Sequence, residues 1–96
     1  MANSKKIVTS GIIFEDTGNL SRGVIELVSL SSSAQNSFAD VYQGNYANGI
    51  MSGTHLWHIA CPANDYKDTN VLNIPYDGGV YGIIAGTGAS LGITIR

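Results

Sequence analysis

The sequence predicts an all-β fold: a single antiparallel β-sandwich or jelly-roll-like domain of about seven short strands. Three observations favour this fold. Isoleucine and valine number 17 against 6 leucines, whereas Glu, Lys, Gln and Arg, which suit helices, total only 9 of the 96 residues. Most of the 12 glycines fall between short apolar runs, where turns need them. These runs recur about every 10–14 residues, a spacing that is typical of sandwiches and jelly rolls.

The first half of the chain predicts three strands. Lys5–Phe14 is the first, and Gly11 within it marks a bulge or a close approach of backbone. Leu20–Leu30 follows a dense turn signal and predicts the second strand. A serine-rich loop then leads to a third strand over Phe38–Gln43.

The middle of the chain predicts a wide connection and two further strands. Gly44–Gly53 contains three glycines and two asparagines, a composition that suits a long loop. Thr54–Cys61 predicts the fourth strand, which Pro62 ends. A polar, acidic loop precedes the fifth strand, Val71–Tyr76.

The last part of the chain carries the clearest turn signals. Asp77–Gly79 is the strongest hairpin signal, and it leads into a sixth strand over Val80–Ala85. A tight turn at Gly86–Gly88 then precedes the seventh strand, Leu91–Ile95. Because apolar and polar residues alternate strictly in that strand, we expect its leucine and two isoleucines to point inward.

Composition also bounds the domain organisation and the partners. We expect residues 1–6 to form a flexible N-terminal arm and residues 7–96 to form one β-sandwich domain. The net charge is −2 and the five basic residues are scattered, so we expect no nucleic-acid partner. No apolar run approaches the ~18 residues that a membrane span needs, so we expect no membrane partner. The single cysteine, Cys61, predicts a small buried apolar side chain.

Two short motifs suggest chemistry, and each has a simpler interpretation. Asp16-Thr17-Gly18 matches the catalytic triplet of small dimeric aspartic proteases, but it is also an ordinary turn sequence. His55, His58 and Cys61 would share one face of a helix and could then bind zinc. In a strand, odd separations fall on opposite faces, so His58 would point away from the other two. We therefore predict no catalytic, cofactor-binding or metal-binding residues.

The five tyrosines offer a further alternative. Aromatic side chains on a sandwich face are a common means of stacking on sugars. Tyrosines also cap the edges of sandwich cores, and the sequence does not separate these two roles. The tyrosines concerned are Tyr42, Tyr46, Tyr66, Tyr76 and Tyr81.

Three segments carry a family resemblance, namely the strand 6–14, the central run 39–44 and the glycine-punctuated close at 79–90. In these segments the chain resembles small all-β proteins of tailed bacteriophages that serve as capsid cement or decoration subunits. The resemblance implies a sandwich fold, no catalytic residues and a place on the capsid surface of a virion. The implied partners are the major capsid protein or other virion proteins, and further copies of the chain in a homo-oligomer.

Two segments are the predicted contacts with such partners. Lys5 and Lys6 lie in the polar arm, and Tyr46, Ile50 and Met51 are apolar residues in the glycine-rich connection. The alternative function is a glycan- or receptor-binding module of a tail or fibre.

Overall fold

The fold is a β-sandwich of two antiparallel sheets, which confirms the predicted all-β class. A computed structural model describes residues 3–47, 50–69 and 71–96, and the side chains of 45–47 and 50–52 lie outside that description. The described residues form nine strands: β1 (Asn3–Ile7), β2 (Gly11–Phe14), β3 (Arg22–Ser31), β4 (Ser37–Ala47), β5 (Ile50–Cys61), β6 (Tyr66–Asp68), β7 (Ile74–Asp77), β8 (Val80–Ala85) and β9 (Ser90–Ile95).

The nine strands divide into two sheets. The first sheet has the order β1-β9-β3, and both β6 and β7 pair with the far side of β3. The second sheet has the order β2-β8-β4-β5. The described residues form two more strands than the seven predicted. The first predicted strand is divided into β1 and β2, and β6 lies within the predicted polar loop.

The core lies between the two sheets and consists of aliphatic side chains. The inward prediction for β9 is confirmed, since Leu91, Ile93 and Ile95 are at most 1% exposed. The other sheet contributes fully buried aliphatic residues such as Val41 and Val80. Each such side chain stabilises the fold by about 1.5–3 kcal/mol relative to leaving it in water, so packing of the two sheets dominates stability.

The first predicted strand crosses from one sheet to the other. β1 pairs with β9, whereas β2 pairs with β8, and residues 8–10 carry the chain between the sheets. Ser10 supports this corner, because its Oγ accepts a hydrogen bond from the Ile84 backbone N–H at 2.9 Å. Of the predicted arm, residues 1 and 2 lie outside the described residues, and residues 3–6 belong to β1, whose pairing with β9 extends from Asn3 opposite Ile95. The backbone of this polar segment pairs with the open edge of β9.

The Asp77–Gly79 turn does not form the predicted hairpin. β7 before it pairs with β3, whereas β8 after it pairs with β2 and β4, so the turn connects the two sheets. Gly78 and Gly79 have φ of +94° and +91° and donate backbone hydrogen bonds to the Ser21 carbonyl at 2.8 and 2.9 Å. Two successive positive φ angles reverse the chain, but they do not determine which strand it then joins.

The predicted wide connection at Gly44–Gly53 is largely β-structure. β4 and β5 continue through it, with Gly44 opposite Gly53 and Ala47 opposite Ile50. Gly53 has φ of +156°, and a Cβ there would lie 1.8 Å from the Gln43 carbonyl oxygen. The glycines therefore permit a close approach of two strands, where the sequence suggested a loop.

Candidate functional site

A β-bulge in β5 brings two histidines to the same face of the second sheet. Asp40 lies opposite His58 and Tyr42 lies opposite His55, so one residue of β5 has no counterpart on β4. The extra residue, Leu56, packs toward the core together with Trp57. The prediction that His55 and His58 point to opposite faces is therefore wrong, because a bulge shifts the alternation of side chains by one residue.

Both histidines meet a single carboxylate from the neighbouring strand. His55 Nε2 lies 2.9 Å and His58 Nδ1 lies 2.8 Å from Asp40 Oδ1. The two imidazole side chains are about half exposed, whereas Asp40 is 26% exposed. Partial burial by itself would raise the pKa of Asp40, but the hydrogen bonds and charges of His58 and His55 outweigh it and hold that pKa below its ordinary value.

Aromatic rings flank this His–Asp–His cluster at both ends. The Phe38 ring lies 6.1 Å from that of His58, and the Tyr42 ring meets that of His55 edge-on at 5.1 Å. Phe38 is 50% exposed, so one end of the row is open to solvent. We call the outward side chains of Phe38, Asp40, Tyr42, His55 and His58 the aromatic face.

A second tyrosine, on the neighbouring strand β8, packs against the aromatic face. Tyr81 on β8 stacks on Tyr42 with ring centroids 5.1 Å apart, and it is fully buried. Burial, together with the neighbouring Tyr42, raises the pKa of the Tyr81 hydroxyl, so this ring stays neutral at physiological pH. The aromatic face therefore presents aromatic rings for stacking, two imidazoles and one carboxylate on the outer surface of the second sheet.

Cys61 is not part of this arrangement. It is 2% exposed in the core, and its Sγ lies 3.5 Å from the Pro62 carbonyl oxygen. The prediction of a small buried apolar side chain is confirmed. Within the part of the chain that the structure describes, no group of three or more His, Cys, Asp and Glu side chains is arranged to hold a metal ion.

The Asp16-Thr17-Gly18 triplet is an exposed turn between β2 and β3. Gly18 has φ of +89°, and its carbonyl accepts hydrogen bonds from the Ser21 backbone N–H at 3.3 Å and the Ser21 hydroxyl at 2.8 Å. Both Asp16 and Thr17 are exposed. The turn interpretation of this motif is confirmed.

The predicted contact residues belong to two different sheets. Lys5 and Lys6 lie on β1 in the first sheet, beside an open groove of about 350 Å³ that Ser29 and Ser90 also line. Tyr46, Ile50 and Met51 belong to β4 and β5 of the second sheet, and their side chains lie outside the described residues. The structure therefore does not bring the two predicted contact segments together in one sheet.

Sequence reasoning missed Asp40, the residue on which the cluster converges. The available signal was the alternation of Phe38, Asp40 and Tyr42, which places these three side chains on one face of a strand. That signal did not reveal the histidines of the next strand, because their facing depends on the bulge.

No helix in the described residues is long and apolar enough to cross a membrane. Comparison of the chain with protein-family models, with curated proteins and with solved structures found no match.

Proposed function

We propose that the chain is a non-enzymatic structural protein of a virion, of the capsid cement or decoration type. In this role it stabilises the head by binding the major capsid protein or other virion proteins, and it acts as a homo-oligomer on the capsid surface. The sequence resemblance and the sandwich fold are compatible with this role. A feature of the second sheet supports it most directly.

That feature is the end of the β4–β5 hairpin, residues 44–53. β8 pairs with β4 as far as Gln43, and the Gly44 N–H still donates to the Gly79 carbonyl at 3.1 Å; beyond Gly44 the described strands of the hairpin pair only with each other. A two-stranded ribbon is marginally stable by itself in water. The segment has no charged residue and contains Tyr46, Ile50 and Met51. A ribbon of this composition gains stability when a partner surface covers it, which is the property that a cement protein requires.

Particle binding by variants of this hairpin tests the proposal. We expect the triple variant Tyr46→Ser/Ile50→Ser/Met51→Ser to bind heads assembled without the protein at least about tenfold more weakly, because three apolar contacts are lost. The matched control is Val8→Ser/Leu20→Ser/Val71→Ser, which removes three exposed apolar side chains elsewhere. Equal binding by the two triple variants, with circular dichroism showing both folded, would contradict the proposal.

Lys5 and Lys6 are the second proposed contact. Since they belong to β1, deletion of the N-terminal residues would also remove a strand from the first sheet. Lys5→Gln/Lys6→Gln keeps the strand and removes only the two charges. We expect this double variant to bind heads more weakly than wild type and to lose much of the salt dependence of binding. An unchanged salt dependence would remove the two lysines from the interface.

The alternative, a glycan- or receptor-binding module, is favoured by the aromatic face. A half-exposed Phe38 beside Asp40 and His58 combines a stacking surface with hydrogen-bonding groups, as sugar sites do. Binding on a glycan array that disappears in Phe38→Ala would support this alternative. A silent array together with tight binding to heads would favour the capsid role.

A further inference from the structure

Among the described strands, five border the two sheets, and four of these are short and carry features that discourage pairing with another chain. β1 has five residues and includes two lysines, and β2 has four residues and a bulge. β6 has three residues with Lys67 and Asp68, and β7 has four with Pro75. Short length, charge, bulges and proline are the usual protections of exposed sheet edges.

The fifth border strand, β5, is long and contains no Lys, Arg, Asp or Glu. It has 12 residues, none of them a proline, and it borders the second sheet. In the described pairings β4 is its sole partner strand. The bulge at Leu56 is the feature of β5 that discourages pairing with another chain, and the strand continues on both sides of it. An edge of this length and composition is a template for another strand.

The partner that fits this edge best is a second copy of the same strand. The other border strands have three to five residues and would cover less than half of β5. Two antiparallel β5 strands related by a two-fold axis would cover each other over most of their length, since such a contact uses the same patch twice. β5 contains no Lys, Arg, Asp or Glu that would repel the same residue type in its copy.

The bulge restricts the register of such a pair. Directly opposite residues in an antiparallel pair point to the same face. His55 and His58 point outward, whereas Leu56 and Trp57 pack toward the core. A two-fold axis between Leu56 and Trp57 satisfies this condition, because it places His55 opposite His58 of the second copy and Leu56 opposite Trp57 of the second copy. Gly53 and Ala60 then close the matched segment at its two ends.

We infer that β5 is the self-association edge of this protein, and that two copies pair β5 with β5, antiparallel and about this axis, to form one continuous eight-stranded sheet. The inference deepens the proposed function, on which it rests for the expectation of a homo-oligomer. In the dimer the aromatic faces of the two copies join across the axis. The predicted contact segments with Tyr46 and Ile50 then lie at the two ends of the paired strands.

The mass of the isolated full chain tests the inference. We expect sedimentation and native mass spectrometry at pH 7.5 to give a dimer, twice the 10.1 kDa of one chain. The variant His55→Lys/His58→Lys places like charges opposite each other across the axis, so we expect it to be monomeric. Within one copy the two lysines can donate to Asp40 in place of the histidines, so we expect the fold to be retained. The variant His55→Gln/His58→Gln replaces the same two side chains without adding charge, and we expect it to remain dimeric.

The control adds the same two charges away from β5. Val8→Lys/Val71→Lys changes two positions that are 69% and 71% exposed, and we expect it to remain dimeric. Hydrogen exchange gives a second measurement, in which residues 53–60 should exchange faster in His55→Lys/His58→Lys than in wild type while β1 exchanges equally in both.

Three results would overturn the inference: a monomeric wild type, a closed trimer or larger ring, or a His55→Lys/His58→Lys variant that stays dimeric. Its failure is distinguishable from failure of the capsid role. A β5 dimer that does not bind heads would contradict only the proposed function. A monomer that binds heads through the 44–53 hairpin would contradict the dimer and the homo-oligomeric state, but it would leave the capsid role in place.

Discussion

Asp40 on β4 is the residue of the aromatic face that contacts both histidines of β5. Its Oδ1 is within hydrogen-bond distance of both His55 and His58, and a carboxylate accepting two such bonds is favoured in its charged form. Because the folded state lowers the pKa of Asp40, ionisation of this residue stabilises the fold. The stabilisation is fully present above the pKa of an aspartate in the unfolded chain, about 3.9. It is lost as the pH falls through the lower pKa that Asp40 has in the folded state.

Asp40→Asn should therefore reduce the free energy of unfolding at neutral pH by on the order of 1 kcal/mol. We expect the difference from wild type to shrink as the pH falls below about 4, where the wild-type carboxyl also becomes neutral. Urea denaturation at a series of pH values measures this. Asp16→Asn, in the exposed turn, is the control and should stay within about 0.5 kcal/mol of wild type. A constant difference between Asp40→Asn and wild type down to pH 2.5 would contradict the argument.

At the scale of the strand, β8 shows how glycine sets the spacing of the two sheets. Gly82 faces the core opposite Gly11 of β2, and a Cβ at Gly82 would lie 2.7 Å from Leu91 Cδ2 and 3.2 Å from Ile13 Cδ1. A Cβ at Gly11 would meet nothing within 4 Å. The two paired glycines therefore have different roles, although the sequence presents them alike.

Gly82→Ala should lower the free energy of unfolding by about 1–3 kcal/mol, because Leu91 and Ile13 must move to make room in a packed core. The matched variant Gly11→Ala should change it by no more than about 0.5 kcal/mol. Thermal or urea denaturation of the two variants measures the contrast. Equal effects would mean that the sheets adjust their separation freely at Gly82.

The strands differ in how well local sequence predicts them. β9 was predictable because strict alternation reports directly which face is buried, and Cys61 was predictable because a lone cysteine usually packs as an apolar group. The bulge at Leu56 was not predictable, because it changes the alternation of side-chain directions and no adjacent glycine or proline marks it. Sheet membership at Asp77–Gly79 was also hidden, because it depends on pairing with β3 and β4, which are distant in sequence.

The whole molecule is a thin slab of 36 × 31 × 17 Å with two unlike surfaces. The outer surface of the first sheet carries small polar groups, such as the hydrogen-bonded pair Ser4 and Thr94 with oxygens 2.8 Å apart. The outer surface of the second sheet carries the aromatic face. The two surfaces therefore present different chemistry to their surroundings.

The position of β9 has a consequence for how the chain acquires its structure during synthesis. β9 lies between β1 and β3, although β1 and β3 are made first and β9 is the last strand in the sequence. Until β9 emerges from the ribosome, β1 lacks the strand with which it pairs, and β3 lacks its partner strand on one side. We expect the nascent chain to stay incompletely folded until that point, and the finished chain to fold in milliseconds to seconds, as sandwiches with many distant pairings do.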